Sequence, residues 1–261
     1  MCGMNSAAAG LALLLLLLPL GRSEAATKVL EEIVEQKHAV DRDATLSIRN
    51  TDGSVRVYGG NVPEITIRAV KRAYTAERLR SIVVEVKAAR ANVTIDTIFP
   101  PGKNAWSDRS GRVEYFIIVP ETIKITKLNL VNGEVMVKDL RGGSATAHLV
   151  NGWLGGVNCF GDLNLSLVNG RLDLAYDWWE NHKFSAKASS VNAALRAILP
   201  RHGAVALGAS TGTGWIVDAF GLNPRGVGAP LRVLETATGP RPESSIEMKT
   251  TGGNIRIEKS Y

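Results

Sequence analysis

Apolar and polar residues alternate along most of this chain, and the 3.6-residue period of an amphipathic helix is scarce. A period of two marks a strand with one face toward a core. Thr45-Leu46-Ser47-Ile48-Arg49 reads this way, Asn50-Thr51-Asp52-Gly53 follows as a tight turn, and Val55-Arg56-Val57-Tyr58 resumes the alternation. Glycine at position 53 suits the positive φ that such a turn needs. Residues 64–70, 82–87 and 93–98 are further strands. Residues 73–80 form the best short helix, with Thr75 as its N-cap. Residues 100–111 read as a Pro-, Gly- and Ser-rich loop holding Trp106. Residues 113–119 are apolar enough to predict burial on both faces.

A tripeptide then recurs almost in step. Val131-Asn132-Gly133, Val150-Asn151-Gly152 and Val168-Asn169-Gly170 each follow a leucine, and their glycines are 19 and 18 residues apart. Gly142 and Gly161 fall midway, which predicts two short strands and two turns per unit. Later units are degenerate: Asn192 echoes the asparagines, and Thr251-Gly252-Gly253-Asn254 makes a last turn. The pattern predicts an all-β chain, a stacked, β-helix-like β-solenoid with a β-rich N-terminal portion. Asn132, Asn151 and Asn169 would then form a ladder at ~4.8 Å spacing, with Gly133, Gly152 and Gly170 turning the corners. The alternative is an antiparallel meander or sandwich in which each Asn-Gly is a type I′ hairpin turn. Stacking explains why the same letters recur, because identical neighbours bury one another.

The ends give an address. Leu11 to Leu20 is almost wholly apolar and is followed by Ser23-Glu24-Ala25, a small-x-small cleavage pattern. The stretch is shorter than the ~20 residues of a membrane span, so residues 1–25 read as a secretory signal peptide cleaved after Ala25. That predicts an exported protein, periplasmic or extracellular, with no transmembrane segment in its mature chain. Residues 26–125 would be the β-rich portion with one short helix, and residues 126–261 the repeat portion. Of the two cysteines, Cys2 leaves with the signal. Cys159 is then alone, cannot pair within the chain, and reads as a small buried hydrophobe.

The formal net charge is +6, and part of the excess is local. Arg68, Lys71, Arg72, Arg78, Arg80, Lys87 and Arg90 face only Glu77 and Glu85 between positions 68 and 90. Aromatic residues do not interleave with them, which argues against a nucleic-acid stacking surface and for a solvated strand face.

Chemistry-bearing residues are scattered. His38, His148, His182 and His202 share no metal-ligand spacing, and no cofactor motif is present. Asp173 with Asp177, or Asp139 with Asp162, are the carboxylate pairs a glycosidase would require, yet each acid sits singly among strand residues. Gly212-Thr213-Gly214 is not followed by the Lys-Ser/Thr of a phosphate loop. Tyr176, Trp178 and Trp179 are the best recognition candidates, because large aromatics where a repeat is interrupted project toward sugars or partner side chains.

The run from Leu46-Ser47-Ile48 with Asp52-Gly53-Ser54-Val55, through Tyr115-Phe116-Ile117-Ile118-Val119-Pro120, to the Val-Asn-Gly units resembles the bacterial putative-adhesin family of unknown function. The resemblance covers roughly residues 40–258. It implies the toast-rack type of β-solenoid, similar to adhesin head domains, in an exported, non-catalytic protein with no catalytic residues to carry over. The Trp178-Trp179 segment and the Gly/Pro insertion near 221–230 depart from the simple repeat. The expectation is therefore an adhesin-like structural or interaction module of the cell envelope, whose partner is an envelope protein or surface glycan. A periplasmic sensor component acting through a signalling partner, and a polysaccharide-active β-helix enzyme, are the alternatives.

Overall fold

The computed structural model describes residues 29–101, 109–180, 183–222 and 232–260. The expected signal peptide, Trp106, His182 and most of the Gly/Pro insertion lie outside them. The first part of the chain comprises β1 (Leu30–Ala39), β2 (Thr45–Gly60), β3 (Glu64–Ala73), α1 (Ala76–Ser81), β4 (Val83–Ala89), β5 (Asn92–Ile98) and β6 (Arg112–Pro120). Four long strands follow: β7 (Lys124–Lys138), β8 (Arg141–Val157), β9 (Phe160–Ala175) and β10 (Ser185–Leu199). The chain ends in β11 (Val205–Thr211), β12 (Ile216–Asp218), β13 (Val233–Thr238), β14 (Ser244–Thr250) and β15 (Ile255–Lys259).

All these strands belong to one sheet, whose main path is ordered β1-β3-β6-β2-β7-β8-β9-β10-β14-β11-β13. From β2 to β10 the neighbours are parallel and in register, with Asp52, Asn132, Asn151, Asn169 and Asn192 opposite one another in turn. The hairpin alternative fails here, since hairpins would make successive strands antiparallel. Asp52-Gly53, expected as a tight turn, lies within the continuous 16-residue β2.

Strands β2, β7, β8 and β9 are each two arms meeting at a glycine, and β10 has Ala193 at the matching position. The buried residues change parity across that point: Leu46 and Ile48 give way to Val55 and Val57, Leu128 and Leu130 to Val135 and Val137, Leu165 and Leu167 to Leu172 and Leu174. An odd offset keeps both arms facing the same core although the strand bends between them. Gly53, Gly133, Gly152 and Gly170 have φ between 128° and 132°, where an L side chain is strained. They are also packed against one another. A Cβ on Gly133 would lie 1.8 Å from the Gly53 carbonyl oxygen, and on Gly152 or Gly170 it would lie 1.9 Å from the preceding glycine's oxygen.

Outside this column runs a chain of amides. Asn132 Nδ2 donates to Asp52 Oδ1 at 2.8 Å, Asn151 to Asn132 at 2.9 Å, Asn169 to Asn151 at 3.0 Å, and Asn192 to Asn169 at 3.3 Å. Asp52 fits the start of the ladder because a carboxylate only accepts. The bonds between these amides are exposed, so the ladder trims the corner and the apolar arms supply the burial.

The intermediate corner differs from expectation. Its left-handed residues are Asp139 (φ 58°) and Asn158 (φ 50°), with Gly142 beyond the bend and Gly161 outside the left-handed region. Asp and Asn tolerate this conformation better than other non-glycine residues. Asn158 is further held by Asp177, whose N–H donates to Asn158 Oδ1 at 2.8 Å and whose Oδ2 accepts from Asn158 Nδ2 at 3.0 Å.

Residues 113–119 correct a second expectation: β6 alternates, with Val113, Tyr115, Ile117 and Val119 buried and Ile118 46% exposed. Phe116 is half-buried on the outer side beneath Arg56 and Arg68, whose guanidinium carbons lie 5.3 and 5.9 Å from its ring centre. The helix is shorter than expected, Ala76–Ser81 rather than 73–80, but its N-cap is the expected Thr75, whose Oγ1 accepts from the Arg78 N–H at 3.2 Å. No described helix is long and apolar enough to cross a membrane.

Candidate functional site

The three aromatic candidates divide between core and surface. Tyr176 is 1% exposed, and its hydroxyl donates to the Cys159 carbonyl at 3.2 Å. It is a core residue, contrary to the recognition role expected of it, and burial raises its phenol well above the usual range. Trp179 is half-buried against Tyr176 and Phe184, with ring centres 5.6 and 5.3 Å away. Phe160 joins the group from the preceding repeat, 5.4 Å from Tyr176, 6.0 Å from Trp178 and 6.4 Å from Trp179. Such tilted and edge-on pairs add to ordinary burial.

Trp178 alone of the three faces solvent, 38% exposed. Its indole N–H donates to Glu180 Oε1 at 3.1 Å, and the Arg141 guanidinium lies 5.9 Å from its ring centre. Arg141 also pairs with Glu180 at 3.0 Å. The indole is thus held between a cation and a carboxylate that hold each other. Beside it, Trp179, Glu180, His202, Arg241, Glu243 and Ser244 line a cleft of about 410 Å³. Arg141 and Glu180 escaped the sequence reading because Arg141 arrives from the start of β8, beyond any local pattern.

The other candidates have structural partners. Asp173 is buried, accepting from Trp153 Nε1 at 2.7 Å and from Arg171 Nε at 2.9 Å. Asp177 serves the Asn158 corner. Asp162 is exposed, and Asp139 has a buried carboxylate oxygen without a described hydrogen bond. The Cys159 thiol is buried 3.4 Å from the Val137 and Val157 carbonyl oxygens, and burial pushes its pKa up to about 12. A thiol so held is not an activated nucleophile. His148 meets Ser166 Oγ at 2.8 Å and His38 meets Gln36 at 3.0 Å. Among the described residues no three His, Cys, Asp or Glu side chains gather as a metal site.

The first three cations of the basic stretch are paired by β1, a strand absent from the sequence reading. Arg72 pairs with Glu31 at 2.8 Å, Lys71 with Glu32 at 2.9 Å and Arg68 with Glu35 at 3.0 Å. Arg78 turns inward, donating at 2.6 Å to the Pro100 and Ser110 carbonyls. Its role is to tie the two ends of the loop to α1.

No protein-family model matches the sequence, and no curated protein matches it significantly. A solved structure does share the fold. A putative cell adhesion protein from Clostridium sporogenes superimposes with a TM-score of 0.52 at 15% identity, over 88% of this chain and 100% of that one. Putative adhesins from Parabacteroides distasonis and Bacteroides fragilis overlap loosely, with TM-scores of 0.27 and 0.25. Their identities are 11% and 9%, over 87% of this chain and 97% of each of those. At 15% identity the likeness to the Clostridium sporogenes protein is one of fold.

Proposed function

We propose that this chain is an exported, non-catalytic module of the cell envelope, a β-solenoid that works as an adhesin-like interaction surface. The observation that carries the reading is the unbroken register from Asp52 to Asn192, five residues joined side by side on parallel strands. Parallel strands of 15 to 17 residues joined by two-residue connections must wind back upon themselves. A winding with a hydrogen-bonded column at its corner is a stiff support for surface groups. Leu11 to Leu20 supports export, and the fold shared with a putative cell adhesion protein supports the adhesive role. Trp178, braced by Arg141 and Glu180, is a surface aromatic placed to contact a partner.

The test is co-sedimentation of the purified full-length chain with isolated bacterial cell envelopes, beside the Trp178→Ala variant. The reading expects the chain to sediment and the variant to be released at lower salt. Absence of sedimentation, or identical behaviour of the variant, contradicts it. Fractionation of cells expressing an epitope-tagged chain tests export separately, with retention in the cytoplasm as the contrary result.

A further inference from the structure

A second surface lies on the outer face of the strands beyond the glycine corner. Register brings Trp153 opposite Arg171 and Arg171 opposite Ala194. Asn254 follows, since Leu195 N–H bonds its carbonyl at 2.9 Å, and Trp215 comes next, its N–H donating to Asn254 Oδ1 at 3.2 Å. The next residue along each strand, Leu154, Leu172, Leu195, Ile255 and Ile216, is buried. Trp153, Arg171 and Ala194 therefore point outward; just before β15 and β12 begin, half-buried Asn254 and exposed Trp215 continue the same line, about 19 Å across four strand spacings.

This line has tryptophans at both ends and a hollow in the middle. Trp215 is 52% exposed. Trp153 lies flat on its own strand, its indole filling the place where a side chain at Gly155 would sit, 2.6 Å from the site of that Cβ. Ala194, exposed and short, is the floor of a cleft of about 370 Å³ bordered by Arg171, Arg196, Asn254, Arg256 and Glu258.

The charges around the hollow do not cancel. Arg171 is engaged by Asp173, at 2.9 Å from Nε and 2.8 Å from Nη2, and Arg196 Nε by Glu258 at 2.8 Å. Arg256 reaches Glu258 only at 3.7 Å, with 66% of its side chain exposed. Among the described residues, three guanidinium groups thus meet two carboxylates here, leaving one unbalanced positive charge beside the open floor. Fixed guanidinium forks match planar and tetrahedral oxyanions.

We propose that this face binds an anionic saccharide. The acid group would sit over Ala194 against Arg256, a ring hydroxyl would meet the Asn254 amide, and the C–H faces of adjacent sugars would lie on Trp153 and Trp215. Two indoles with a single unbalanced cation suit sparsely charged sugars better than nucleic acid, whose densely spaced phosphates call for many unpaired cations. Uronate carboxylates and sulfate esters present the same chemistry to Arg256. The site shares no residue with the Trp178 corner, so it stands or falls apart from the envelope-binding test above.

The test is calorimetric titration of the full chain with oligogalacturonate, with sulfated dextran oligosaccharide, with neutral dextran oligosaccharide of equal length, and with a short DNA duplex. Binding of either acidic saccharide, at least about tenfold tighter than neutral dextran, is expected. Which of the two binds identifies the acid group. Ala194→Leu fills the hollow while keeping every charge, and Arg256→Gln removes the unbalanced one. Each should weaken binding by about tenfold with the far-UV circular dichroism unchanged. No binding to either acidic saccharide overturns the proposal. So does binding undiminished in both variants, or DNA binding as tight as the better saccharide.

Discussion

Gly152 sits over the carbonyl of Gly133 so closely that a Cβ on it would lie 1.9 Å from that oxygen. The contact repeats at Gly170 over Gly152, so these residues are glycine for two reasons: a positive φ and no room. Gly142 separates the two causes, having φ 71° but open space, with no heavy atom beyond its chain neighbours within 4 Å of where a Cβ would stand. Gly152→Ala should therefore cost about 4 kcal/mol or more, among the largest single-residue effects. Gly142→Ala should cost about 1–2 kcal/mol, the strain of the left-handed conformation alone. Urea denaturation followed by far-UV circular dichroism measures both, and equal losses would contradict the close packing.

The asparagine ladder is a smaller contributor. Asn151→Ala removes one donated and one accepted amide bond, to Asn132 and from Asn169. Both bonds are exposed, so the expected loss is about 1 kcal/mol in the same denaturation experiment. A loss above that of Gly152→Ala would invert the roles assigned to amide and glycine.

The two adjacent tryptophans should separate. Trp179→Ala opens a hole beside Tyr176, Phe184 and Phe160 and should cost about 3 kcal/mol. Trp178→Ala should cost about 1 kcal/mol or less, since it loses a braced surface ring. Denaturant midpoints of the two variants decide this, and comparable losses would make Trp178 part of the core.

Cys159 links burial to pH. Its thiol is raised from 9.0 to about 12 by burial, so the neutral form is the native one. Stability from this group is fully present below pH 9, where the unfolded thiol is also neutral. It declines as the unfolded thiol ionises and is lost as pH rises through about 12. Tyr115, also pushed up to about 12 by burial, acts in the same direction. The folded chain should resist an aromatic disulfide reagent at pH 8 and react in denaturant, with Cys159→Ala subtracting the contribution of Cys2. Rapid labelling of Cys159 in the folded chain would contradict its burial.

Much of the stack was legible because its corners use the same letters: Val-Asn-Gly at 131, 150 and 168 announces register before any coordinates. The other corner was hidden because Asp139 and Asn158 adopt positive φ without a glycine to mark it. Strand β1 was illegible for a different reason. Leu30-Glu31-Glu32-Ile33-Val34 does not alternate, and it is held at the sheet edge by ion pairs to β3. At the aromatic corner, Tyr176 and Trp178 share sequence parity but not environment, because the strand has ended at Ala175. The Trp153 to Trp215 line could not be read locally at all. The β14–β15 segment comes last in the chain yet inserts beside β10, ahead of β11 and β12.

The registry itself is open to a direct chemical measurement. Asn132 and Asn151 are opposite one another on neighbouring strands, whereas Asn132 and Asn169 are two strands apart. Those separations are about 4.8 and 9.6 Å, on either side of the ~7 Å limit for a disulfide. The measurement is mild oxidation of the double variants Asn132→Cys with Asn151→Cys, and Asn132→Cys with Asn169→Cys, followed by peptide mass spectrometry. Register predicts a 132–151 bond in the first and no 132–169 bond in the second. Absence of the 132–151 bond, or equal formation of both, would contradict a column of corners one strand apart.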